Sequence, residues 1–355
     1  MSNKKDIIMI GPSPFNRGGI SSVIQSLLEL EPIYNRTFLV SSYSDGNKLK
    51  KILAFLKGIV QCLFILIFNR QVEILHIHTA SRGSFFRKRI FVKLGKWFGK
   101  KIILHIHGAE FMMFYQESND TVKKQIREIL DQVDVIITLS KKWKVDIESI
   151  TDNRNVKVIY NAIDSKKFNL SNLDEQNILF MGRIGTRKGI YDLVDIIPQI
   201  IEDFPNVKLH IAGDGDLQTL KRRIEELNIN SSICIHGWIN HNQKVQLLEQ
   251  SSIFTLPSYN EGLPVSILEA MAAGLPVIST NIGGIPEQID NAYNGFIIKP
   301  GDKEALLEHI NFLLKDKNAR KNFGENAKYK VNESFSLPVI GDEILNMYSI
   351  LISDS

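Results

Sequence analysis

Residues 253–279 read IFTLPSYNEGLPVSILEAMAAGLPVIS. Ile253–Leu256 is a short apolar run ending at Pro257, Pro264–Ala273 has helical character, and Val277–Ser279 is apolar again. Strand, turn, helix and strand in that order make a βαβ unit. Apolar runs without polar alternation mark strands covered on both faces.

The same pattern extends outward from this stretch. Ile178–Met181, Val207–Ile211 and Ile233–Ile235 read as strands, with helices expected over Lys188–Phe204 and Asp216–Leu227. Nearer the N-terminus, Asp6–Ile10, Phe38–Val40, Ile74–Ile77, Ile102–Ile106 and Val133–Leu139 read as strands, and Gly19–Leu30 as a helix. Between the two series, Asp164–Asn177 is polar, lacks strong periodicity and reads as a linker. The expected fold class is α/β: two Rossmann-like, doubly wound parallel-sheet domains, residues 1–168 and 169–336, facing an interdomain cleft. Such sheets bind ligands at the carboxyl ends of their strands, so chemistry is sought in the loops that follow them.

Composition agrees. A chain of 355 residues, 44% hydrophobic and 23% charged, suits two globular domains. It excludes global disorder, collagen-like repeats and a polytopic membrane protein. Two cysteines, Cys62 and Cys234, exclude a disulfide scaffold and a cysteine-built zinc site; both sit in apolar runs and are expected to be buried thiols. The net charge of +4 is unevenly divided: residues 1–170 carry 27 Lys+Arg against 15 Asp+Glu, and residues 171–355 carry 16 against 24. A basic half serves nucleic acid, anionic lipid or phosphorylated ligands.

The opening MSNKKDIIMIG has an apolar stretch of only about five residues, too short for a signal peptide, so a cytoplasmic location is expected. In Ile52–Phe68, ILAFLKGIVQCLFILIF, Lys57 and Gln61 interrupt the run, which falls short of the ~20 residues of a span. The expectation is a largely buried helix with Lys48, Lys50, Lys51 and Arg70 at its ends. A helix lying in a membrane interface or crossing it is the alternative.

The strongest candidate site is Glu261 and Glu269, eight residues apart around Gly262-Leu263-Pro264-Val265. Pro264 is compatible with a first helical turn, where its missing N–H costs nothing. Glu261 and Gly262 then precede the helix, and free N–H groups around Leu263, Val265 and Ser266 attract phosphate or sugar oxygens. Glu269, more than a turn further on, is placed to accept hydroxyl hydrogen bonds. A second candidate is Phe180–Gly189, FMGRIGTRKG, where a strand ends in a glycine-flanked turn bearing Arg183, Arg187 and Lys188, cations suited to a diphosphate. A third is Ile10–Ile20, IGPSPFNRGGI, where Gly18 and Gly19 permit close approach to an anion but match neither GxGxxG nor a Walker loop.

Histidines pair as His76/His78 and His105/His107, each pair on one face of a strand end. Zinc is conceivable there, but no Cys or carboxylate cluster accompanies them. The last histidine of each pair is expected to reach the cleft, with His107 the better functional candidate. Asp214-Gly215-Asp216 fits a helix N-cap better than a metal motif. Ser81–Lys101 carries eight basic residues and no acidic one, interleaved with Phe85, Phe86, Phe91, Trp97 and Phe98. It reads as a membrane-surface helix, a cradle for a lipid diphosphate, or a buried amphipathic helix with a solvated basic edge. Nucleic acid is not expected, because no nucleic-acid-binding module accompanies the segment.

MGRIGTRKG, AGDGDL, HGW and PSYNEGLPVSILEAMAAGLPVISTNIGGIPE, with YNAID, the Gly18-Gly19 loop and HIHGAE, resemble the retaining glycosyltransferases of family 4, which have the GT-B fold. The resemblance implies that Arg183 and Lys188 neutralise a donor diphosphate, that Gly18, Gly19 and Gly182 approach its phosphates, and that Glu269 binds ribose hydroxyls. It implies that Glu261 and the N–H groups of Gly262–Val265, including Leu263 and Pro264's neighbours, hold the donor sugar, while His107 assists transfer and Trp238 lies near the base. It further implies that a C-terminal helix, about 337–355, packs back on the first domain, and that no metal or cofactor is needed.

The expected function is therefore metal-independent, retaining transfer of a hexose-type sugar from a nucleotide-sugar, expected to be a UDP-sugar. The acceptor is expected to be lipid-diphosphate-linked or a saccharide, in bacterial surface polysaccharide synthesis at the inner membrane surface. His78, Arg82, Arg87, Lys88 and Arg89 are the candidate acceptor or membrane contacts. A non-catalytic nucleotide-sugar-binding subunit and a GT-B epimerase are the alternatives.

Overall fold

The computed structural model describes residues 6–16, 18–168, 172–173 and 176–353. Its strands are β1 (Ile7–Pro12), β2 (Thr37–Tyr43), β3 (Ile74–Thr79), β4 (Lys101–Ile106), β5 (Val135–Thr138), β6 (Val156–Val158), β7 (Asn177–Met181), β8 (Lys208–Ala212), β9 (Ile233–Gly237), β10 (Ile253–Leu256), β11 (Val277–Thr280) and β12 (Gly295–Ile298). They form two parallel sheets, ordered β2-β1-β3-β4-β5-β6 and β12-β11-β10-β7-β8-β9. Parallel pairing requires crossovers, which helices supply, so both faces of each sheet are covered. Ile7–Ile10, Ile102–Leu104 and Ile178–Phe180 are accordingly inaccessible to solvent. The edge strands β6 and β12 were not expected from the sequence; edge strands need bury only part of their surface and leave a weaker apolar signature.

One unit comprises residues 1–162 and 337–355, the other 163–336. The change of unit precedes the 168/169 junction expected from composition, because Ile163 already bridges Ser336 and donates its N–H to the Phe335 carbonyl at 2.9 Å. The helix Leu337–Ser353 belongs to the first unit, where Tyr348 is fully buried.

Each sheet has one point at which strand order reverses: between β1 and β3 in the first unit and between β7 and β10 in the second. The loops after these strands therefore frame a crevice in each unit. In the second, Gly189 joins them. Its φ is +69°, and a Cβ there would lie 1.9 Å from the Pro257 carbonyl oxygen, so only glycine permits this approach.

The helix Lys48–Phe68 corrects the expectation of a buried core helix. Only Gly58, Cys62, Ile65 and Leu66 are buried, one stripe at helical spacing. Gly58 packs where a Cβ would lie 2.7 Å from the Ser41 carbonyl oxygen, and Gln61 donates to the Leu39 carbonyl at 3.1 Å, so the stripe is docked along β2. Leu49, Ile52, Leu53, Leu56, Val60, Phe64, Ile67 and Phe68 are all more than half exposed. By length and apolarity this helix could cross a membrane, yet only 22% of its most apolar window is buried. Cys62 is buried, which pushes its thiol up to about 12, whereas Cys234 is only half-buried, at edge strand β9.

Candidate active site

In the second unit the loops after β7 and β10 bring Lys188 and Glu261 together as an ion pair. Lys188 lies in a 3-10 turn, Thr186–Lys188, entered at Gly185 and left at left-handed Gly189. Glu261 is 6% exposed, and the same carboxylate oxygen that meets Lys188 accepts from Ser258 Oγ at 2.8 Å. Ser258 is itself fixed by Thr280, whose hydroxyl donates to the Ser258 carbonyl at 2.7 Å. Glu269 is 8% exposed and accepts from Lys244 Nζ at 2.5 Å. Each carboxylate therefore has a lysine, which is how charge is tolerated at such burial.

Pro264 is the N-cap of helix Val265–Ala272 rather than a residue of its first turn. It offers no capping side chain, and Gln288 Nε2 bonds the Pro264 carbonyl at 3.1 Å. The first-turn N–H groups at Val265 and Ser266 have no intrahelical acceptor and present partial positive charge beside Glu261. Gly262 and Leu263 are buried; the Gly262 carbonyl accepts from Gly284 at 2.6 Å. Gly283, at φ +55°, would put a Cβ 2.0 Å from the Glu261 carbonyl oxygen, so the Gly283-Gly284 turn after β11 supports the glutamate loop from behind. Gly182 lies at the end of β7 and donates to the Ala212 carbonyl at 3.0 Å; the following Arg183 side chain is exposed. Trp238 follows β9 and is half exposed. Asp216 accepts from the Thr219 amide at 3.0 Å and caps helix Leu217–Glu226, which holds its carboxyl below the usual range.

In the first unit, β3 and β4 pair with His78 opposite His105. His78 Nδ1 meets His107 Nε2 at 2.9 Å, His76 Nε2 meets His105 Nδ1 at 3.2 Å, and His76 Nδ1 meets Tyr348 Oη at 2.6 Å. His107 is half-buried, and its backbone N–H donates to Thr79 at 2.8 Å; His78 is fully buried behind it. Burial pushes His76 and His107 down to about 3 and His78 and His105 well below the ordinary range, so all four rings are neutral at pH 7. Nitrogens of His76, His78 and His105 lie within 4.8 Å of one another. Among the described residues no carboxylate joins them, and the Lys88 ammonium opposes further positive charge at His78.

The basic residues of Ser81–Lys101 separate into two groups. Arg82 pairs with Glu110 and, at 3.0 Å, with Glu117, while Arg89 bonds Gln125 at 2.6 Å. Arg87 and Lys88 instead line a pocket with Gly18 and Gly19. Sequence reasoning passed over Ser258, Lys244 and the Gly283-Gly284 turn. The GG dipeptide after a strand was the available signal for the turn; Lys244 had none, because it meets Glu269 only through the tertiary fold.

Comparison with known proteins follows the same division. Residues 31–167 match the model of Glycosyltransferase Family 4, and residues 161–330 that of Glycosyl transferases group 1. An uncharacterised glycosyltransferase of Methanocaldococcus jannaschii, MJ1607, is 33% identical over 61% of this chain; the aligned part spans 60% of that relative's length. The UDP-Gal:alpha-D-GlcNAc-diphosphoundecaprenol alpha-1,3-galactosyltransferase of Escherichia coli is 26% identical over 81% of this chain and 77% of its own. Sucrose-phosphate synthase from Thermosynechococcus elongatus superposes with a TM-score of 0.84 at 19% identity, covering 99% of this chain and all of that one. Two parallel six-stranded sheets and two adjoining family matches lead to one assignment: the chain has the GT-B fold, with a Glycosyltransferase Family 4 domain over residues 31–167 and a Glycosyl transferases group 1 domain over residues 161–330.

Proposed function

We propose that this protein is a retaining glycosyltransferase that moves a hexose-type sugar from a UDP-sugar to a lipid-diphosphate-linked acceptor, without a metal, at the inner face of a bacterial plasma membrane. The part-buried Lys188–Glu261 pair at the strand-order reversal of the second unit carries the reading. A phosphate reaching Lys188 would have Glu261 beside it, available to a sugar hydroxyl. Departure of the nucleotide builds negative charge on its diphosphate. Lys188, Arg183 and the open N–H groups at Val265 and Ser266 would stabilise that charge electrostatically, where such fixed dipoles are most effective. Glu261 orients the sugar, Glu269 takes ribose hydroxyls, and neutral His107 accepts a hydrogen bond from the transferred sugar or the acceptor.

A UDP-sugar donor and a diphosphate-lipid acceptor are favoured by the Escherichia coli relative, whose name states both. Membrane contact is favoured by the outward apolar face of Lys48–Phe68, with Lys48, Lys50, Lys51 and Arg70 at its ends. Because the opposite stripe is docked on β2, the helix would lie along a bilayer surface, not across it.

The test is nucleotide release with EDTA present, offering UDP-, GDP- and ADP-sugars with and without a polyprenyl-linked acceptor pool from bacterial membranes. Acceptor-dependent UDP release that vanishes in Glu261→Ala is expected. Release that requires a divalent ion, or that needs no acceptor, overturns the corresponding part of the reading.

A further inference from the structure

The first unit has a pocket of about 320 Å³ at its own strand-order reversal, where β1 gives way to the Gly18-Gly19 turn. Lys88 points into it and is 2% exposed. Its ammonium donates to Ser42 Oγ, a neutral partner already bonded to the Gly11 carbonyl at 2.9 Å. Arg87 lies alongside, over the Tyr43 ring at 5.4 Å, and its Nε is buried without a partner. Neither cation forms a salt bridge among the described residues. A buried ammonium without a counter-ion is unfavourable, and an anion bound beside it would offset that cost. Burial, and secondarily the Arg87 guanidinium, push the Lys88 ammonium down to about 7, because nothing acidic offsets either.

The remaining wall has the same polarity. Helix Gly19–Leu28 starts at this pocket with no side-chain cap. Gly18 is at φ +127°, and among the described residues a Cβ on either glycine would meet nothing within 4 Å. Uncapped first-turn N–H groups favour phosphate oxygens. Two cations and a helix N-terminus around one pocket exceed what a single carboxylate needs and match a diphosphate ester.

We infer that the Arg87–Lys88 pocket of the first unit binds the diphosphate of the acceptor lipid. This rests on the proposed lipid-diphosphate acceptor. The pocket's Tyr43 edge, over which Lys51 Nζ also lies at 5.6 Å, adjoins the start of helix Lys48–Phe68. A prenyl chain leaving the diphosphate there would meet that helix's exposed apolar face. The donor's diphosphate has its own cations, Arg183 and Lys188, in the other unit, so the inference moves Gly18 and Gly19, which the family resemblance gives to the donor's phosphates, to the acceptor's.

Geranyl diphosphate and UDP would each be titrated calorimetrically into the full-length protein and into Arg87→Gln, Lys88→Met, Lys188→Met and Lys93→Gln. The expected result is at least a tenfold loss of geranyl diphosphate affinity in Arg87→Gln and Lys88→Met. Lys188→Met and the exposed control Lys93→Gln should keep it, and only Lys188→Met should lose UDP affinity. Should Lys88→Met not fold, Arg87→Gln decides alone. Unchanged geranyl diphosphate affinity in Arg87→Gln overturns the inference, as does a tenfold loss of UDP affinity in that variant, which would give the pocket to the donor. Wild-type protein that binds UDP but not geranyl diphosphate overturns it while leaving the donor reading intact. Geranyl diphosphate binding through Arg87 without UDP binding does the reverse.

Discussion

Lys188 and Glu261 are joined in a part-buried ion pair although 73 positions separate them, one on the loop after β7 and the other on the loop after β10. The pair bridges the two strands at which the sheet reverses order. Removing either partner leaves the other charge poorly compensated in a site already short of water. Lys188→Met and Glu261→Ala should each reduce transfer by about 100-fold or more, the range seen when one electrostatic stabiliser is deleted. Each should cost about 2 kcal/mol of stability, less than the 3–5 of a fully enclosed pair, because Lys188 keeps some exposure. Thermal melts of both single variants and the double variant check this, and the double should cost less than the sum.

Glu269 is held by Lys244 rather than by backbone amides. Since its proposed role is in binding the nucleotide and not in the reacting centre, Glu269→Gln should raise the donor KM about tenfold and change kcat little. Lys244→Met should follow the same direction with a smaller effect. Initial-rate kinetics with a UDP-sugar separate the two constants; a fall in kcat alone would move Glu269 into the chemistry.

The interior strands were legible because each is a short apolar run bounded by Gly, Pro or polar residues. The Glu261/Glu269 spacing was legible because both flank one helix start. Partnerships made across the fold were not. Lys244 meets Glu269, and His78 meets His107, only after helix packing or strand register is set. The Arg87–Lys88 and Arg82–Arg89 groups lie in one basic segment, and only the helix's seating divides pocket from surface. Helix Lys48–Phe68 was misread for a physical reason: apolar residues facing a core and apolar residues facing outward have the same composition.

The histidine cluster makes the fold acid-sensitive. His76 and His107 titrate near 3 in the folded protein against about 6.5 unfolded, and His78 and His105 move the same way. Between those values the unfolded chain binds more protons, so stability rises with pH from about 3 to 6.5 and is flat above for these groups. Each contributes a slope of up to about 1.4 kcal/mol per pH unit. Lys88, beside His78, adds a second window: lowered to about 7 from 10.5, it makes stability rise further between those values. Melting temperature should therefore fall steeply from pH 7 to pH 5. Lys88→Met should raise it at pH 7 and lose that advantage by pH 10.

The outward face of Lys48–Phe68 makes a prediction that separates stability from location. Leu56 and Phe64 are more than half exposed and one helical face apart from the buried stripe, so Leu56→Ser with Phe64→Ser removes little packing from the domain. Burial of two such side chains in a bilayer interface would contribute about 2–4 kcal/mol. Sedimentation with vesicles containing anionic phospholipid should show at least a tenfold loss of binding in the double variant, with an unchanged melting temperature. Binding of the wild-type protein should weaken with salt, because Lys48, Lys50 and Lys51 at one end and Arg70 at the other attract the headgroups over a screened distance. Equal sedimentation of variant and wild type would remove this face from the membrane reading, and a lowered melting temperature would show instead that it packs within the protein.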